Sequence, residues 1–390
     1  MPTPLLSYSF RPFFIMAGAY AAIAVLGWVA YLFGGLALPL SWSPMHWHSH
    51  EMLYGWTSAA IAGFLLTAIT NWTGAKPLSG GPLLALVLLW LAGRVAFWAT
   101  SLIPPLWVAV IDLSFLAVLG LYVAAVLVRH KNHRNLILVA VILLLFTGNL
   151  WMHLGFMTGT TAYLQQGERL GFNLISLLLA IIAGRITPAF TVNWLKRTGG
   201  NSAAVVRYAG LDKVALIALA LLIPLDIWFT EAPWLGWFLL VTAALHAARV
   251  LLWKGWLALK EPLLWILHLG YLWLVLSLLA RGLNLIEPAF SNSLWVHTLG
   301  MGAIGTLILG VMTRVCVGHT GRPLKLEPYA WISYAFIVMA TVLRLLAASG
   351  MIDYRWGVNL SALFWILSFG LFTVLYTPIL LAPRADGKPG

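Results

Sequence analysis

Apolar stretches of about 20 residues, the length that crosses a bilayer as a helix, follow one another along this 390-residue chain with short polar breaks between them. Twelve are present, near 12–34, 44–70, 82–102, 106–129, 135–158, 168–190, 213–230, 234–253, 262–283, 293–316, 328–348 and 356–381. Turn chemistry separates them at Pro104-Pro105, Gly199-Gly200-Asn201, Glu261-Pro262 and Pro323. The longest link, about 191–212, carries Lys196, Arg197 and Arg207. This pattern predicts an all-α polytopic membrane protein with about 12 transmembrane helices, a single integral-membrane domain over residues 1–390. Only 9% of residues are charged, against about 25% in soluble proteins. A large extramembrane domain, a disordered chain and a cytosolic enzyme are thereby excluded.

The net charge of +12 does not point to nucleic acid, because the basic residues lie between apolar stretches rather than on one soluble surface. Eighteen Lys and Arg fall on or near one side of the predicted spans and five towards the other. By the positive-inside rule, both termini are expected in the cytoplasm. The lone cysteine, Cys316, excludes an intramolecular disulfide and any CxxC metal or redox motif. The first apolar stretch is too long for a signal-peptide core and is expected to remain as the first span.

A faint internal repeat runs through the spans. Gly63-Phe-Leu-Leu-Thr in the second, Gly184-Arg-Ile-Thr in the sixth and Gly310-Val-Met-Thr in the tenth are spaced by close to a third of the chain. That spacing suggests three repeats of four helices.

Ionisable groups inside membrane helices are costly and mark function, so the ten histidines carry the most information. Ser43-Pro44 reads as a helix N-cap and first position. It places His46, His48, His50 and Glu51 in the first two turns of the second span. At about 100° per residue, His46 shares a face with His50, and His48 shares another with Glu51. Such a segment could serve two metals, one metal and an orienting carboxylate, or simply an interfacial polar helix start. His153 and His297 sit at similar depth in the fifth and tenth spans, and His50 and His297 each precede the repeat glycine by 13 residues. Imidazoles converging from separate helices suit haem iron or copper, and zinc stays open. His246, His268 and His319 form a second group, readable as helix-end hydrogen bonders or as a second metal site. His130 and His133 lie in a basic loop and read as solvated neighbours.

Arg94, Arg185, Arg314 and Arg344 could pair with haem propionates, or snorkel to headgroups. Asp112 is a candidate proton-path group or a hydrated helix end.

Several segments together resemble the NnrS family: Phe10-Arg11-Pro12-Phe13-Phe14, Trp47-His48-Ser49-His50-Glu51-Met52, Gly63-Phe64-Leu65-Leu66-Thr67-Ala68 and Asn71-Trp72-Thr73-Gly74. So do Leu267-His268-Leu269-Gly270-Tyr271, Gly302-Ala303-Ile304-Gly305, Val311-Met312-Thr313-Arg314 and Gly318-His319-Thr320-Gly321-Arg322. The resemblance implies a twelve-span bacterial inner-membrane protein containing haem, read here as haem b, and copper or a second haem or other metal. It also implies a link to nitric oxide metabolism and nitrosative stress. Carried over, it singles out His48, His50, His153, His268, His297 and His319 as ligands or near-ligands. His46 falls just outside the WHxHE pattern, and His246 matches a looser one.

Three functions follow from these expectations. The first is binding and reduction of nitric oxide (2 NO + 2 e− + 2 H+ → N2O + H2O), with Glu51 delivering protons and a quinol or cytochrome supplying electrons. The cofactor-binding set is then His48, His50, His153, His297, Arg94 and Arg314. The second is a non-catalytic haem-based nitric oxide binder or sensor. The third is a metal or small-molecule transporter.

Overall fold

The computed structural model describes residues 3–388 and contains no strand among them. Among the described residues there are twelve long helices: α1 (Phe10–Phe33), α2 (Pro44–Thr73), α3 (Gly80–Trp98), α4 (Pro105–Arg129), α5 (Leu136–Thr158) and α6 (Thr161–Thr198). They continue as α7 (Ala209–Trp228), α8 (Pro233–Leu252), α9 (Pro262–Ile286), α10 (Ser293–Gly318), α11 (Ala330–Ala348) and α12 (Tyr354–Leu381). Eleven are long and apolar enough to cross a membrane. The other, α7, has the length, but Asp212, Lys213 and Asp226 dilute its apolar character. The protein is therefore an all-α polytopic membrane protein.

Most helix ends lie within a few residues of the hydropathy expectation. The exception is α6, which reaches from Thr161 to Thr198 and absorbs the first part of the expected long link. Its last turns are amphipathic: Thr191 and Leu195 are buried while Lys196 and Arg197 are exposed. Hydropathy finds the fully apolar stretch and misses a helix continued by one buried face.

By contacts the chain divides into two compact units. One comprises Met1–Gly171, Val315–Lys325 and Phe369–Gly390; the other comprises Phe172–Arg314 and Leu326–Ser368. In the first, α1 packs on α2, α3 on α4 and α4 on α5, around buried Phe13, Phe14, Trp47, Trp56 and Trp90. In the second, α8 packs on α7 and α9, and α9 on the early part of α10, around buried Trp253, Tyr271, Tyr334 and Trp365.

The three helices that carry the repeat glycines are the most buried of the candidate spans. Each glycine permits a close approach within its unit. A Cβ on Gly63 would stand 2.6 Å from the Phe14 ring, one on Gly184 would strike the Arg249 guanidinium, and one on Gly310 would come within 2.9 Å of Ile266. A second correspondence joins α2 and α10. Both widen into π-helical turns immediately after the aligned histidine, over Glu51–Trp56 after His50 and Thr298–Gly305 after His297. Such widened turns cluster at functional sites because they re-aim the side chains around them.

Gly63→Ala should destabilise the protein by about 1–3 kcal/mol, since the Phe14 ring it meets is fully buried and has nowhere to move. Gly81→Ala, on α3 with open space around it, should be neutral or stabilising by up to ~1 kcal/mol. Unfolding of both variants in detergent micelles, followed by circular dichroism, checks the contrast.

Candidate functional site

The N-terminus of α2 forms as its sequence suggests. The Ser43 side chain accepts from the His46 amide, and Pro44 opens the helix, where its missing N–H costs nothing. The three histidines that follow go to three different places. His46 Nδ1 meets Glu168 Oε1 at 2.8 Å, and the Ser49 hydroxyl donates to the same oxygen. The His48 ring stacks on Trp28, centroids 4.2 Å apart. His50 turns inward and is 0% exposed. Glu51 pairs with His50 rather than with His48: the two follow each other at helical dihedrals, and the long Glu51 side chain reaches the neighbouring ring just before the helix widens over Glu51–Trp56.

His50 enters a buried polar cluster drawn from four helices of the first unit. Its Nδ1 lies 3.0 Å from Glu51 Oε1. Its Nε2 lies 3.2 Å from Asp112 Oδ2 on α4 and 2.8 Å from Asn149 Oδ1 on α5. His153, one turn beyond Asn149, brings its Nε2 to 3.0 Å from the same Asp112 oxygen, and Asn149 Nδ2 donates to it at 2.7 Å. Arg94 on α3 closes the cluster, donating from one terminal nitrogen to Glu51 Oε1 and from the other to Asp112 Oδ1. Aromatic rings wall the imidazoles off. Phe97 stacks on His50 at 3.7 Å, and Trp42 lies 5.5 Å from His50 and 5.6 Å from His153.

His50, Asp112 and His153 each offer one ligand atom within 4.8 Å of the others, all from buried residues. This donor set fits a metal ion. Two imidazoles and one carboxylate suit non-haem iron, copper or zinc, and Glu51 behind His50 Nδ1 supplies the carboxylate that orients a ligating imidazole. Glu51 Oε2 is buried and has no hydrogen-bond partner among the described residues.

The remaining expected ligands are dispersed. His246 has both ring nitrogens engaged, Nδ1 with the Tyr271 hydroxyl at 2.7 Å and Nε2 with the Ala215 carbonyl at 3.1 Å. Arg249 donates to Tyr271 in turn and pairs with Asp212. That network leaves His246 no lone pair for a metal. His268 Nε2 lies 2.9 Å from Thr191 Oγ1, and its buried Nδ1 faces Gly255, where any Cβ would come within 2.7 Å. His297 places Nδ1 2.8 Å from the Ser293 carbonyl, which makes Nε2 the nitrogen carrying the lone pair. His319 lies just past α10 with its ring 5.7 Å from Phe10, and its carbonyl accepts from Arg384. Burial, followed by the Arg384 charge, lowers the His319 pKa. His130 caps α4 by bonding the Val126 carbonyl, and both His130 and His133 are exposed. Arg314 lies over the Phe190 ring at 3.9 Å, whereas Arg94 is committed to two carboxylates.

Sequence reasoning undervalued Asp112, the hub of the cluster, and passed over Asn149. The signal was present: Asn149 and His153 are four apart on one helix face, opposite an aspartate well inside another span. The second unit holds a further buried trio that it missed, Asp226 accepting from Arg281 and, at 2.7 Å, from Asn173.

Arg94→Met leaves Glu51 and Asp112 unmatched in a dry interior. It should cost about 3–5 kcal/mol. The double variant Arg94→Met/Asp112→Asn should cost less than the sum of its singles by about 0.5–3 kcal/mol. Chemical unfolding of the four proteins in one detergent measures that coupling.

No curated protein matches the chain. The family model described as NnrS protein matches residues 4–384, nearly the whole length. The chain belongs to the NnrS family, membrane proteins associated with haem and metal and linked to nitric oxide stress.

Proposed function

We propose that the protein binds nitric oxide within the membrane and reduces it to N2O at the His50–Asp112–His153 centre, protecting the cell from nitrosative stress. The observation that carries this reading is the cluster itself: two imidazoles and a carboxylate, all buried, converge beside a carboxylate oxygen without a partner.

Charge favours a cation at this centre. Asp112 balances Arg94 while Glu51 carries its proton, and release of that proton leaves one negative charge in a desolvated interior, where unmatched charge is costly. A cation held by His50, His153 and Asp112 offsets it, and copper, which the family resemblance implies, is the metal we assign. Bound there, copper supplies a reduced centre with affinity for nitric oxide.

The chain's own residues do the rest. Asn149 and Arg94 hold Asp112, so its Oδ2 stays aimed at both imidazoles. Trp42, Phe97 and Tyr54 surround His50 with rings, which exclude water and admit an apolar gas that partitions into lipid. Glu51 Oε2 is the atom that holds a proton next to the centre, and Oε1 is kept in place by Arg94 and His50. Joining two NO molecules takes two electrons and two protons. A quinol or a cytochrome would supply the electrons, and His297, with Nδ1 held by its own helix, is the residue that would hold a haem b, a group that can carry them. The eighteen-to-five split of basic residues supports a topology with both termini in the cytoplasm, and the family resemblance supports the bacterial inner membrane as the location.

Copper and N2O are the two readouts. His50→Ala and His153→Ala should each lose copper from the purified protein and abolish N2O formation from NO and a reductant. Glu51→Gln keeps the shape of the side chain but cannot carry the proton. It should retain copper and lower N2O formation by about 100-fold or more. Full copper in both alanine variants would overturn the metal assignment. Undiminished turnover in Glu51→Gln would remove Glu51 from the proton path.

A further inference from the structure

Five arginines are buried among the described residues: Arg11, Arg94, Arg249, Arg281 and Arg344. Four of them meet negative or strongly accepting oxygens. Arg94, Arg249 and Arg281 pair with carboxylates, and Arg11 donates to the carbonyls of Leu380 and Ala382. Arg344, on α11 in the second unit, is 3% exposed and has neither. One terminal nitrogen donates to the Ser293 hydroxyl at 2.7 Å, and the guanidinium meets the Tyr354 side chain, whose ring centre is 5.4 Å away. Its Nε and Nη1, which carry three N–H bonds, find no acceptor, and each is shielded from solvent. A desolvated guanidinium touched only by neutral groups is a charge without a counter-ion, and burial penalises it by several kcal/mol unless an anion is brought to it.

We propose that Arg344, with Ser293 and Tyr354, is the binding site for a carboxylate-type oxyanion, a planar pair of oxygens sharing one negative charge. A guanidinium matches such a ligand in shape and in donor number. The first unit shows how a neighbouring sequence solves the same problem internally. There His50 is followed by Glu51, the π turn begins, and Arg94 is neutralised by Glu51 and Asp112. In α10 the aligned His297 is followed by Thr298, the π turn again begins, and that turn packs along α11. Arg94 follows Gly63 by 31 residues and Arg344 follows Gly310 by 34, one helical turn later. At the position of the internal acid stands a threonine, whose hydroxyl is spent on the Leu294 carbonyl at 2.8 Å. The negative charge that Glu51 provides to Arg94 must reach Arg344 from outside the chain. Two sources share this chemistry: a free small acid, and the propionate of a haem seated beside His297. The site stands apart from the copper assignment and does not depend on it.

The test uses full-length protein in detergent as wild type, Arg344→Met and Thr298→Glu. Thermal unfolding is followed with sodium formate against sodium chloride at equal ionic strength, and with added haem against its dimethyl ester. Haem per chain is read in the same samples. Wild type should gain several degrees in Tm from formate or from haem, but not from chloride or the ester. Arg344→Met has no guanidinium to be satisfied and should respond to none of them. Thr298→Glu supplies the missing carboxylate internally. It should be more heat-stable than wild type without ligand and lose the response, and it keeps the test decisive if Arg344→Met does not fold. Protection by formate identifies a free acid as the source. Protection by haem alone, or haem that co-purifies with wild type and is lost from the variants, identifies the propionate. Wild type that responds to neither, or a Thr298→Glu protein that responds as wild type does, overturns the proposal.

Discussion

The first unit is organised around a guanidinium shared by two carboxylates. Arg94 reaches Glu51 on α2 and Asp112 on α4 from its own place on α3, so one side chain ties three helices through charge. Within a membrane-spanning segment such a group has no water to fall back on, and each partner is therefore held to a narrow set of positions. The two imidazoles and Asn149 take theirs from Asp112. The positions of His50, Asp112 and His153 thus follow from the need to satisfy one buried positive charge. The arrangement also explains why the charges are unequal: two acids and one base leave a deficit that only a cation or a proton can fill.

A backbone irregularity borders the cluster. His50 and Glu51 follow each other at helical dihedrals, and the long Glu51 side chain reaches to within 3.0 Å of His50 Nδ1. Directly after them the helix widens over Glu51–Trp56. The same irregularity recurs after His297, which stands at the same distance from Gly310 as His50 does from Gly63. The glycines add the complementary constraint. They let each of the most buried helices be approached closely.

Much of this was legible in the sequence, and the reasons are physical. Twelve helices could be read because bilayer thickness sets helix length, and composition announces it. The WHxHE segment drew attention because three histidines near one helix start are improbable without a task. Which histidine turns inward was not legible, because periodicity gives the angles between His46, His48 and His50 but not which face the neighbouring helices cover. Asp112 stays open in the sequence between a proton-path group and a hydrated helix end, because a lone aspartate near a span boundary can meet water. Only the packing of α3, α4 and α5 shows it to be buried. His246 looked like a ligand by residue type alone, yet Tyr271 and the Ala215 carbonyl occupy both of its nitrogens. No pattern within one helix could have revealed partners that come from two others.

The second unit offers a comparison from inside the same chain. Asp226 accepts from Arg281 on Oδ1 and from Asn173 on Oδ2, just as Asp112 accepts from Arg94 on Oδ1 and from Asn149 on Oδ2. The two clamps share residue types and atoms, although the residues come in a different order along the chain, so the pattern reflects what satisfies a buried aspartate rather than a copied segment. They differ in what else arrives. Around Asp226 the additional contact is the Thr230 hydroxyl at 3.3 Å, with the Trp295 ring over Arg281. Around Asp112 it is two imidazoles. The Asp–Arg–Asn clamp is thus a way of holding charge inside a membrane protein and carries no chemistry of its own. His50, His153 and the extra acid Glu51 are what turn one of the two clamps into a site able to take a metal and a proton.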